Sequence, residues 1–400
     1  MFAGIIGLIT GLIHLYLWQR MVRDTMPRGR ARRVGGFVVL GLALTIPVSI
    51  ILPDRFLEGF AWLGYSWLAI MFYLLVIFAV LELPMLAARL WLRRRPAPVP
   101  APVPALVTAG PPSALPEEPP PAPPVGPDRR QLLARGAAIF AGLTAASLTG
   151  YGIRTALEDP RVRRVEIPLS KLDRSVDGLR IALVADIHLG PILGRGHTER
   201  VVSTINGLDV DVVAIVGDLV DGTVDELGPA AAPLRGLRSR YGSYFVTGNH
   251  EYYSGFEPWL DEVARLGVRP LRNERVEIAG GAVDIAGVND VTGRQFGDAP
   301  DFAKALGGRD TSRPVVLLAH QPIQVREAAR NGVDLQLSGH THGGQIVPFN
   351  YLVRLQQPIV SGYGEFDGTK IFVTNGVGFW GPPVRVGAPP EITLVQLRTP

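Results

Sequence analysis

The stretch Asp211-Val-Val-Ala-Ile-Val-Gly-Asp-Leu-Val-Asp-Gly222 places five consecutive apolar residues directly before a Gly-Asp turn and a second Asp. An apolar run of this length, rich in Val and Ile and ended by Gly, predicts a strand that is buried on both faces. The same pattern of an apolar run followed by a polar turn recurs at residues 180–188, 244–251, 315–322 and 333–345. Helical patterns at 258–266 and 324–330 lie between these runs, so the sequence predicts an α/β domain with a covered sheet.

Polar residues follow each of the five predicted strands. In sheets of this kind the chemistry gathers at the carboxyl ends of the strands. The chain has only seven histidines, and five of them follow these strands: His188, His250, His320, His340 and His342. We interpret His197 as a surface residue and His14 as a packed, neutral residue within an apolar segment.

The residue types at these strand ends are Asp, Asn and His, and the chain contains no Cys. Disulfides, zinc-thiolate sites and cysteine nucleophiles are therefore excluded. Mixed oxygen and imidazole ligands suit Mn²⁺, Fe or Zn²⁺. A single Asp bridging two such ions, about 3.5–4 Å apart, would form a hydrolytic two-metal site.

Five blocks in a fixed order carry a resemblance to a known family. The blocks D-x-H, G-D-x-x-D, G-N-H-E, a single His and G-H-x-H closely resemble the calcineurin-like metallophosphoesterase superfamily, over roughly residues 179–397. The block at 338–345 and the terminal block at 375–385 are similar to its bacterial membrane-attached subgroup. The resemblance implies an α/β four-layer αββα sandwich of two mixed sheets flanked by helices.

The resemblance also implies a role for each strand-end residue. It implies two divalent metal ions, of Mn, Fe or Zn, with the first held by Asp186, His188 and His342. The second ion would be held by Asn249, His320 and His340, and Asp218 would bridge the two.

A mechanism follows from the same resemblance. A hydroxide bridging the metals would attack phosphorus in line, and His250 would protonate the leaving oxygen as general acid. Asp221 would hold the His250 imidazole, and Glu251 is expected to be structural. The family's protein-serine/threonine phosphatases carry Arg where Gly222 stands, which argues against a phosphoprotein substrate.

The region ahead of this domain is unusually apolar. With 47% hydrophobic residues and a mean hydropathy of +0.21, the chain is too apolar for an ordinary soluble enzyme. Uncharged stretches at 2–18, 34–52 and 59–81, with a weaker one at 136–153, predict an all-α transmembrane region of about four helices. We interpret Glu82 with Pro84 as the interfacial end of the third helix. The predicted boundaries are a three-helix region at 1–92, a Pro/Ala-rich linker at 93–130, a fourth transmembrane helix at 131–153 and a metallophosphoesterase domain at 154–400.

Arginine counts predict the orientation of these helices. The first loop carries six Arg, the second carries only Arg55, and the third carries seven, so the first and third loops should be cytoplasmic. If residues 136–153 cross the membrane, the domain is extracytoplasmic, and if they do not, it is cytoplasmic. Arg129-Arg130 resembles a twin-arginine export signal, and a basic flank of an ordinary helix explains it better.

The sequence as a whole predicts a multi-pass, membrane-anchored phosphoesterase with the lipid bilayer and a phosphoester substrate as its partners. The bonds expected are phosphodiesters or pyrophosphates, with a lipid-linked or envelope compound as the candidate. Residues 1–150 carry a net +7 and residues 151–400 a net −3, so no nucleic acid is expected. The oligomeric state is left open.

Two alternatives remain beside this prediction. One is a broad phosphodiesterase whose helices are mere anchors. The other is a non-catalytic membrane sensor built on a metal-binding phosphoesterase fold. The complete set of predicted ligands, together with His250, argues against the sensor. The Pro-rich linker and the helices, which lack evident buried charge pairs, offer it little support.

Overall fold

The computed structural model describes residues 2–51, 58–94 and 129–400, and the chain packs as two units. The first unit contains Met1–Pro47 and Ile70–Ser147, and the second contains Val48–Ala69 and Leu148–Pro400. The predicted Pro/Ala-rich linker at 93–130 lies almost wholly outside the described residues.

Four helices coincide with the four apolar stretches: α1 Phe2–Trp18, α2 Arg30–Ile51, α3 Glu58–Arg94 and α4 Arg129–Leu157. Helices α2, α3 and α4 each contain a segment that is long and apolar enough to cross a membrane. Helix α1 has 17 residues, which is at the lower limit for a span. The expected all-α region therefore precedes the α/β domain.

Helix α3 departs from the sequence prediction. It continues through Glu82 and Pro84 to Arg94, so the prediction that it ends near Glu82 is wrong. Within the first unit, Arg20 Nη2 lies 2.5 Å from Glu82 Oε1, and Tyr16 donates a hydrogen bond to the same oxygen. This pair is partly exposed, at 17% for Arg20 and 34% for Glu82, so it does not contradict the expectation that the helices lack buried charge pairs. A carboxylate neutralised by Arg20 can stay within a helix because its charge is compensated.

The second unit contains two six-stranded sheets. The first has the order β1-β12-β2-β3-β4-β5, and the second has the order β10-β11-β9-β8-β7-β6. The strands of the first sheet are β1 Arg161–Pro168, β2 Arg180–Val184, β3 Val212–Val216, β4 Ser243–Val246, β5 Arg269–Pro270 and β12 Glu391–Arg398. Those of the second are β6 Glu274–Ile278, β7 Val283–Gly287, β8 Val315–Leu318, β9 Leu335–Ser338, β10 Gly362–Phe366 and β11 Thr369–Val373. The five predicted strands are β2, β3, β4, β8 and β9.

Successive side chains along each strand point to opposite faces of its sheet, and this produces four layers, two of sheet and two of helix. Side chains such as Leu183 and Val216 meet Leu318 and Leu337 between the two sheets. The alternate residues face outward onto helices, which cover both outer surfaces. The helices of this unit are α5 Arg195–Asn206, α6 Val224–Ala231, α7 Asn249–Ser254, α8 Phe256–Arg265, α9 Phe302–Leu306, α10 Val325–Arg330 and α11 Asn350–Val353. The predicted αββα sandwich is confirmed.

Strand direction determines where the polar turns lie. Strands β2, β3 and β4 are mutually parallel, and so are β7, β8 and β9. Parallel neighbours end at the same edge of a sheet, so the turns that follow them are adjacent. We call this edge the carboxyl edge, and the opposite edge the amino edge.

Candidate metal centre

The carboxyl edge brings together the residues that the sequence singled out. Three groups of His and carboxylate side chains have ligand atoms that all lie within 4.8 Å of one another. The groups are Asp186 with His188 and His342, Asp218 with His320 and His340, and His188 with Asp221 and His250. Asn249 lies directly before His250 at the start of α7, after β4.

The first group has three donor atoms that converge. His188 Nε2 lies 3.1 Å from His342 Nε2, and His342 Nε2 lies 3.7 Å from Asp186 Oδ1. The two imidazole rings are stacked with their centroids 4.9 Å apart. Facing ring nitrogens beside a carboxylate oxygen form a typical pocket for a divalent cation.

Asp218 lies between the first and second groups. Its Oδ2 is 3.8 Å from His188 Nε2 and 3.1 Å from His320 Nε2. Its Oδ1 accepts a hydrogen bond from the backbone N–H of His250. One carboxylate therefore reaches the ligand nitrogens of both groups, which is the geometry expected of a bridging residue.

Two buried atoms provide a direct test of whether metals fit here. Among the described residues, Asn249 Oδ1 and His320 Nε2 are buried atoms that have no hydrogen-bond partner. Leaving such an atom unsatisfied costs about 1–3 kcal/mol. Both belong to the predicted second metal site, where a cation would accept their lone pairs, so the donor set fits a metal.

Hydrogen bonds orient two of the imidazoles for binding. His188 Nδ1 donates to Asp221 Oδ1 over 2.8 Å, and His320 Nδ1 donates to the carbonyl oxygen of Val216 over 2.8 Å. With the proton held on Nδ1, each Nε2 presents its lone pair to the centre. This is the usual arrangement of metal-binding histidines.

His250 lies at the exposed side of the cluster. Its Nδ1 is 2.7 Å from Asp221 Oδ1, and its ring meets that of His188 edge to face, with centroids 4.7 Å apart. Asp221 thus contacts the expected His250 and also His188. The side chain of His250 is 17% exposed, whereas that of His188 is fully buried.

Burial and neighbouring charges shift the pKa values in opposite directions. Burial lowers the pKa of His340 to about 3 and raises that of Asp186 to about 6. Burial also opposes the charge on His250, but Asp218 and Asp221 outweigh it and raise its pKa to about 9. Burial likewise opposes ionisation of Asp221, but His188 and His250 lower its pKa to about 2. His250 and Asp221 therefore form an imidazolium–carboxylate pair at neutral pH.

The backbone at the metal centre is strained. Five of the predicted ligands have a positive φ, between 48° and 71°: Asp186, His188, Asp218, His340 and His342. This conformation costs a non-glycine residue roughly 1–2 kcal/mol. At Gly217, a Cβ would lie 2.5 Å from the backbone nitrogen of Gly248, so close packing requires glycine. Strain of this kind concentrates at functional sites.

Glu251 anchors the turn that carries Asp218. Its buried carboxylate accepts hydrogen bonds from the backbone N–H groups of Asp218, Leu219 and Gly248. Burial, together with the nearby Asp218 charge, raises the pKa of Glu251 to about 7. The expected structural role agrees with these contacts.

Sequence reasoning assigned no role to Arg385. This guanidinium is completely buried, donates hydrogen bonds to the carbonyl oxygens of Asn375 and Ala388, and lies 3.2 Å from His342 Nδ1. Burial lowers its pKa to about 10, so it remains a cation at neutral pH. The available signal was its position as the single charged residue in the Gly- and Pro-rich block at 375–390.

His197 is not at the surface, so that interpretation is wrong. It lies on α5 with 6% of its surface exposed, on the same helix face as Val201 and Ile205. Burial lowers its pKa to about 4. It is separate from the groups of possible metal ligands found among the described residues.

Comparison with known proteins relates the α/β part of the chain to metallophosphoesterases. Residues 179–344 match the family described as calcineurin-like phosphoesterase. A zebrafish transmembrane protein with a metallophosphoesterase domain is 41% identical over 272 residues, which cover 65% of this chain and 62% of that protein. An uncharacterized metallophosphoesterase of Helicobacter pylori is 42% identical over 257 residues, covering 63% of this chain and 68% of the relative.

A third relative is matched over nearly its whole length. The uncharacterized metallophosphoesterase YkuE of Bacillus subtilis is 31% identical over 287 residues, covering 68% of this chain and 98% of the relative. By contrast, this chain spans just over three fifths of the length of the zebrafish protein.

Proposed function

Because this chain belongs to the calcineurin-like phosphoesterase family, we propose that its second unit hydrolyses phosphoester bonds with two divalent metal ions held at the carboxyl edge. The observation that carries this proposal is the position of Asp218, within 3.8 Å of the ligand nitrogens of both His188 and His320. A carboxylate that reaches two metal-binding groups suits a dinuclear centre better than a mononuclear one.

The proposed ligand sets follow from this geometry. Asp186, His188 and His342 would hold the first ion, Asn249, His320 and His340 would hold the second, and Asp218 would be a ligand shared by both. Bound divalent cations supply Lewis acidity and neutralise the charge of a phosphoryl group. Arg385 keeps the His342 turn in place through its hydrogen bonds to backbone carbonyls.

His250 is proposed as the proton donor. In hydrolysis the water oxygen joins phosphorus, the P–O bond to the leaving group breaks, and the leaving oxygen takes a proton. Asp221 accepts a hydrogen bond from His250 Nδ1 and stabilises the imidazolium, so the other ring nitrogen carries the proton to be transferred. The partial exposure of His250 places this proton where a substrate can reach it.

The proposed substrates are phosphodiesters or pyrophosphates of lipid-linked or envelope compounds. Three helices that could cross a membrane support this class, since they keep the enzyme at a lipid surface. Gly222 lacks the cation that a phosphoprotein phosphatase would carry at this position. The net charge of −3 in residues 151–400 disfavours a nucleic-acid polymer.

The proposed location of the phosphoesterase domain, residues 154–400, is extracytoplasmic. Near the start of α4, Gln131 and Arg135 donate hydrogen bonds to the carbonyl oxygen of Thr25, which lies in the Arg-rich first loop. Positive loops stay in the cytoplasm, and the start of α4 is then on that side. The 29 residues of α4 extend about 43 Å, enough to cross a hydrocarbon core of about 30 Å.

Turnover of a soluble diester tests the proposed chemistry. The full chain in detergent micelles should hydrolyse bis-p-nitrophenyl phosphate with added Mn²⁺, and Asp218→Asn should abolish turnover. Asp209→Asn is the matched control, because Asp209 is an exposed carboxylate that precedes β3 at the amino edge. A chain that binds metal but has no turnover with any divalent cation would contradict the proposal and favour the sensor.

A further inference from the structure

A cluster of exposed apolar side chains follows the last predicted metal ligand. Val347, Tyr351, Leu352, Leu355 and Trp380 are between 41% and 84% exposed, with Leu355 the most exposed. We call these five residues the apolar rim. Four of them fall within the nine residues 347–355, and the backbone of Trp380 is hydrogen-bonded to Gln345 next to this stretch. Single exposed apolar residues are common, but a group gathered in this way indicates contact with a partner or a membrane.

The apolar rim is firmly connected to the metal centre. Its first members lie on the loop that follows His342, and Gln345 in this loop pairs with the backbone of Trp380 through both its amide nitrogen and its amide oxygen. The N–H of Val347 donates to the carbonyl oxygen of Val386, close to Arg385. Two members of the rim, Val347 and Trp380, are therefore held in place close to the metal centre.

Helix α4 joins the second unit at this same face. The carbonyl oxygen of Gly152 accepts a hydrogen bond from the backbone N–H of Arg385, and a Cβ at Gly152 would lie 2.4 Å from Val384 Cγ1. One turn later, Ala156 is buried with Leu193 and Phe379. Because α4 is long and apolar enough to span a membrane, its end marks the side of this unit that the bilayer reaches.

A cavity of about 160 Å³ lies beside the metal centre, and two of its lining residues, Phe379 and Gly381, flank Trp380 of the apolar rim. It opens beside His188 and Asp221, and its walls include Ile192, Leu193 and Phe379. Ser49 and Tyr65, which belong to the second unit, also line it. Both come from segments of α2 and α3 that could cross a membrane. The cavity at the metal centre thus has walls that lipid-facing helices help to build.

We propose that the apolar rim lies in the headgroup region of the bilayer that α4 enters, so that membrane phospholipids reach the metal centre through this cavity. Aromatic and aliphatic side chains such as Tyr351 and Leu355 suit the boundary between headgroups and acyl chains. The guanidinium of Arg354 lies over the Tyr351 ring, 5.8 Å from its centroid, where it can meet lipid phosphates. The substrate part of this proposal rests on the proposed function, whereas the membrane contact does not.

Site-directed fluorescence tests the membrane contact without any catalytic readout. The chain has no Cys, so Leu352→Cys or Leu355→Cys places one polarity-sensitive fluorophore on the full chain. The control is Arg238→Cys, an exposed position before β4 at the amino edge. The proteins are reconstituted into vesicles of phosphatidylcholine and phosphatidylglycerol, with and without brominated acyl chains.

In vesicles of either lipid, the labels at 352 and 355 should emit further to the blue than the label at 238. Brominated lipid should quench the labels at 352 and 355 at least about twofold and leave the label at 238 unaffected. If the labels at 352 and 355 respond no more than the label at 238, the membrane contact is disproved. This result is independent of whether the protein is an enzyme.

Substrate selectivity tests the route to the metal centre. The double variant Leu352→Glu/Leu355→Glu places two negative charges against the headgroups, and it should hydrolyse phospholipid in the vesicles about tenfold more slowly. Its turnover of soluble bis-p-nitrophenyl phosphate should stay unchanged, and Arg238→Glu should alter neither reaction.

An equal loss on both substrates would mean that the rim stabilises the fold, and it would overturn the proposed route. Absence of turnover on both substrates in the unchanged protein would refute the proposed function instead. The fluorescence result would still decide the membrane contact in that case.

Discussion

The carboxyl and amino edges of the same sheets differ in how their charged side chains are placed. At the carboxyl edge, carboxylates and imidazoles are buried, and several of these residues have a left-handed backbone. Asn249 Oδ1 is buried there and has no hydrogen-bond partner among the residues that the structure describes. Near the amino edge, exposed charged groups form ordinary ion pairs, such as Arg180 with Asp209 at 2.9 Å. Buried imidazoles and carboxylates with left-handed backbones thus gather at the carboxyl edge, as expected where a site must hold ligands that it does not itself satisfy.

The largest effect should come from removing the charge shared by both metal-binding groups. Asp218→Asn keeps the shape of the side chain but removes the carboxylate that faces His188 and His320. We expect the turnover of a phosphodiester to fall about a thousandfold or more, the loss typical of removing a central electrostatic group. Steady-state kinetics of the full chain with saturating Mn²⁺ measures this. If the variant keeps activity within about threefold of the unchanged protein, Asp218 does not take part in the proposed metal centre.

The next largest effect should depend on the leaving group. His250→Asn removes the proposed proton donor, and loss of a general acid slows the reaction by about a hundredfold or more. The loss should be large for a phenyl or alkyl leaving group and small for p-nitrophenol, which departs as an anion without a proton. Rates for both esters in both proteins provide the comparison. An equal loss on the two esters would assign His250 to binding instead of proton transfer.

A buried histidine away from the metal centre should act on stability alone. The pKa of His197 is lowered to about 4 by burial, so the folded state holds it neutral. Because the folded-state pKa lies below the unfolded value of about 6.5, His197 lowers the free energy of unfolding only in acid. Its full contribution to stability is present above about pH 6.5, and about 3 kcal/mol is lost as the pH falls from 6.5 to about 4.

His197→Phe removes this titration. Denaturant unfolding of the detergent-solubilised chain at pH 7 and pH 4.5 should therefore show a smaller pH dependence for the variant, with phosphodiester turnover at neutral pH retained. The same pH dependence in both proteins would mean that His197 does not govern acid stability.

The smallest effect should come from the amino edge. Asp209→Asn breaks an exposed ion pair with Arg180, and pairs of this kind contribute less than about 1 kcal/mol. Both the free energy of unfolding and the turnover should therefore stay close to those of the unchanged protein. A loss of activity here would contradict the separation of the two edges.

Much of the fold could be predicted because its central strands are largely apolar, with the polar residues of β9 as the main exception. Strands β2, β3, β4, β8 and β9 are buried on both faces, which is what a largely apolar sequence predicts. Strand β1 escaped prediction because it is an edge strand with mostly exposed, charged residues. The ion pair between Arg20 and Glu82 joins residues 62 positions apart, which no local pattern reveals.

The candidate metal centre was predictable for a related reason. Its residues follow strands whose parallel order makes their ends neighbours, so spacing along the chain became proximity in space. Arg385 was not predictable in this way, because its contacts with backbone carbonyls depend on the path of a loop. His197 was predictable in principle: residues 197, 201 and 205 repeat every four positions, which is the spacing of one helix face.

Metal content measured together with turnover tests the central claim most directly. The purified full chain should bind two Mn²⁺ ions per polypeptide, lose phosphodiester turnover on chelation and regain it when Mn²⁺ is restored. Asp218→Asn should bind fewer ions and should not recover turnover. Two bound ions with no turnover would contradict the enzymatic account and indicate a metal-binding sensor. Turnover that persists after complete chelation would contradict the metal centre itself.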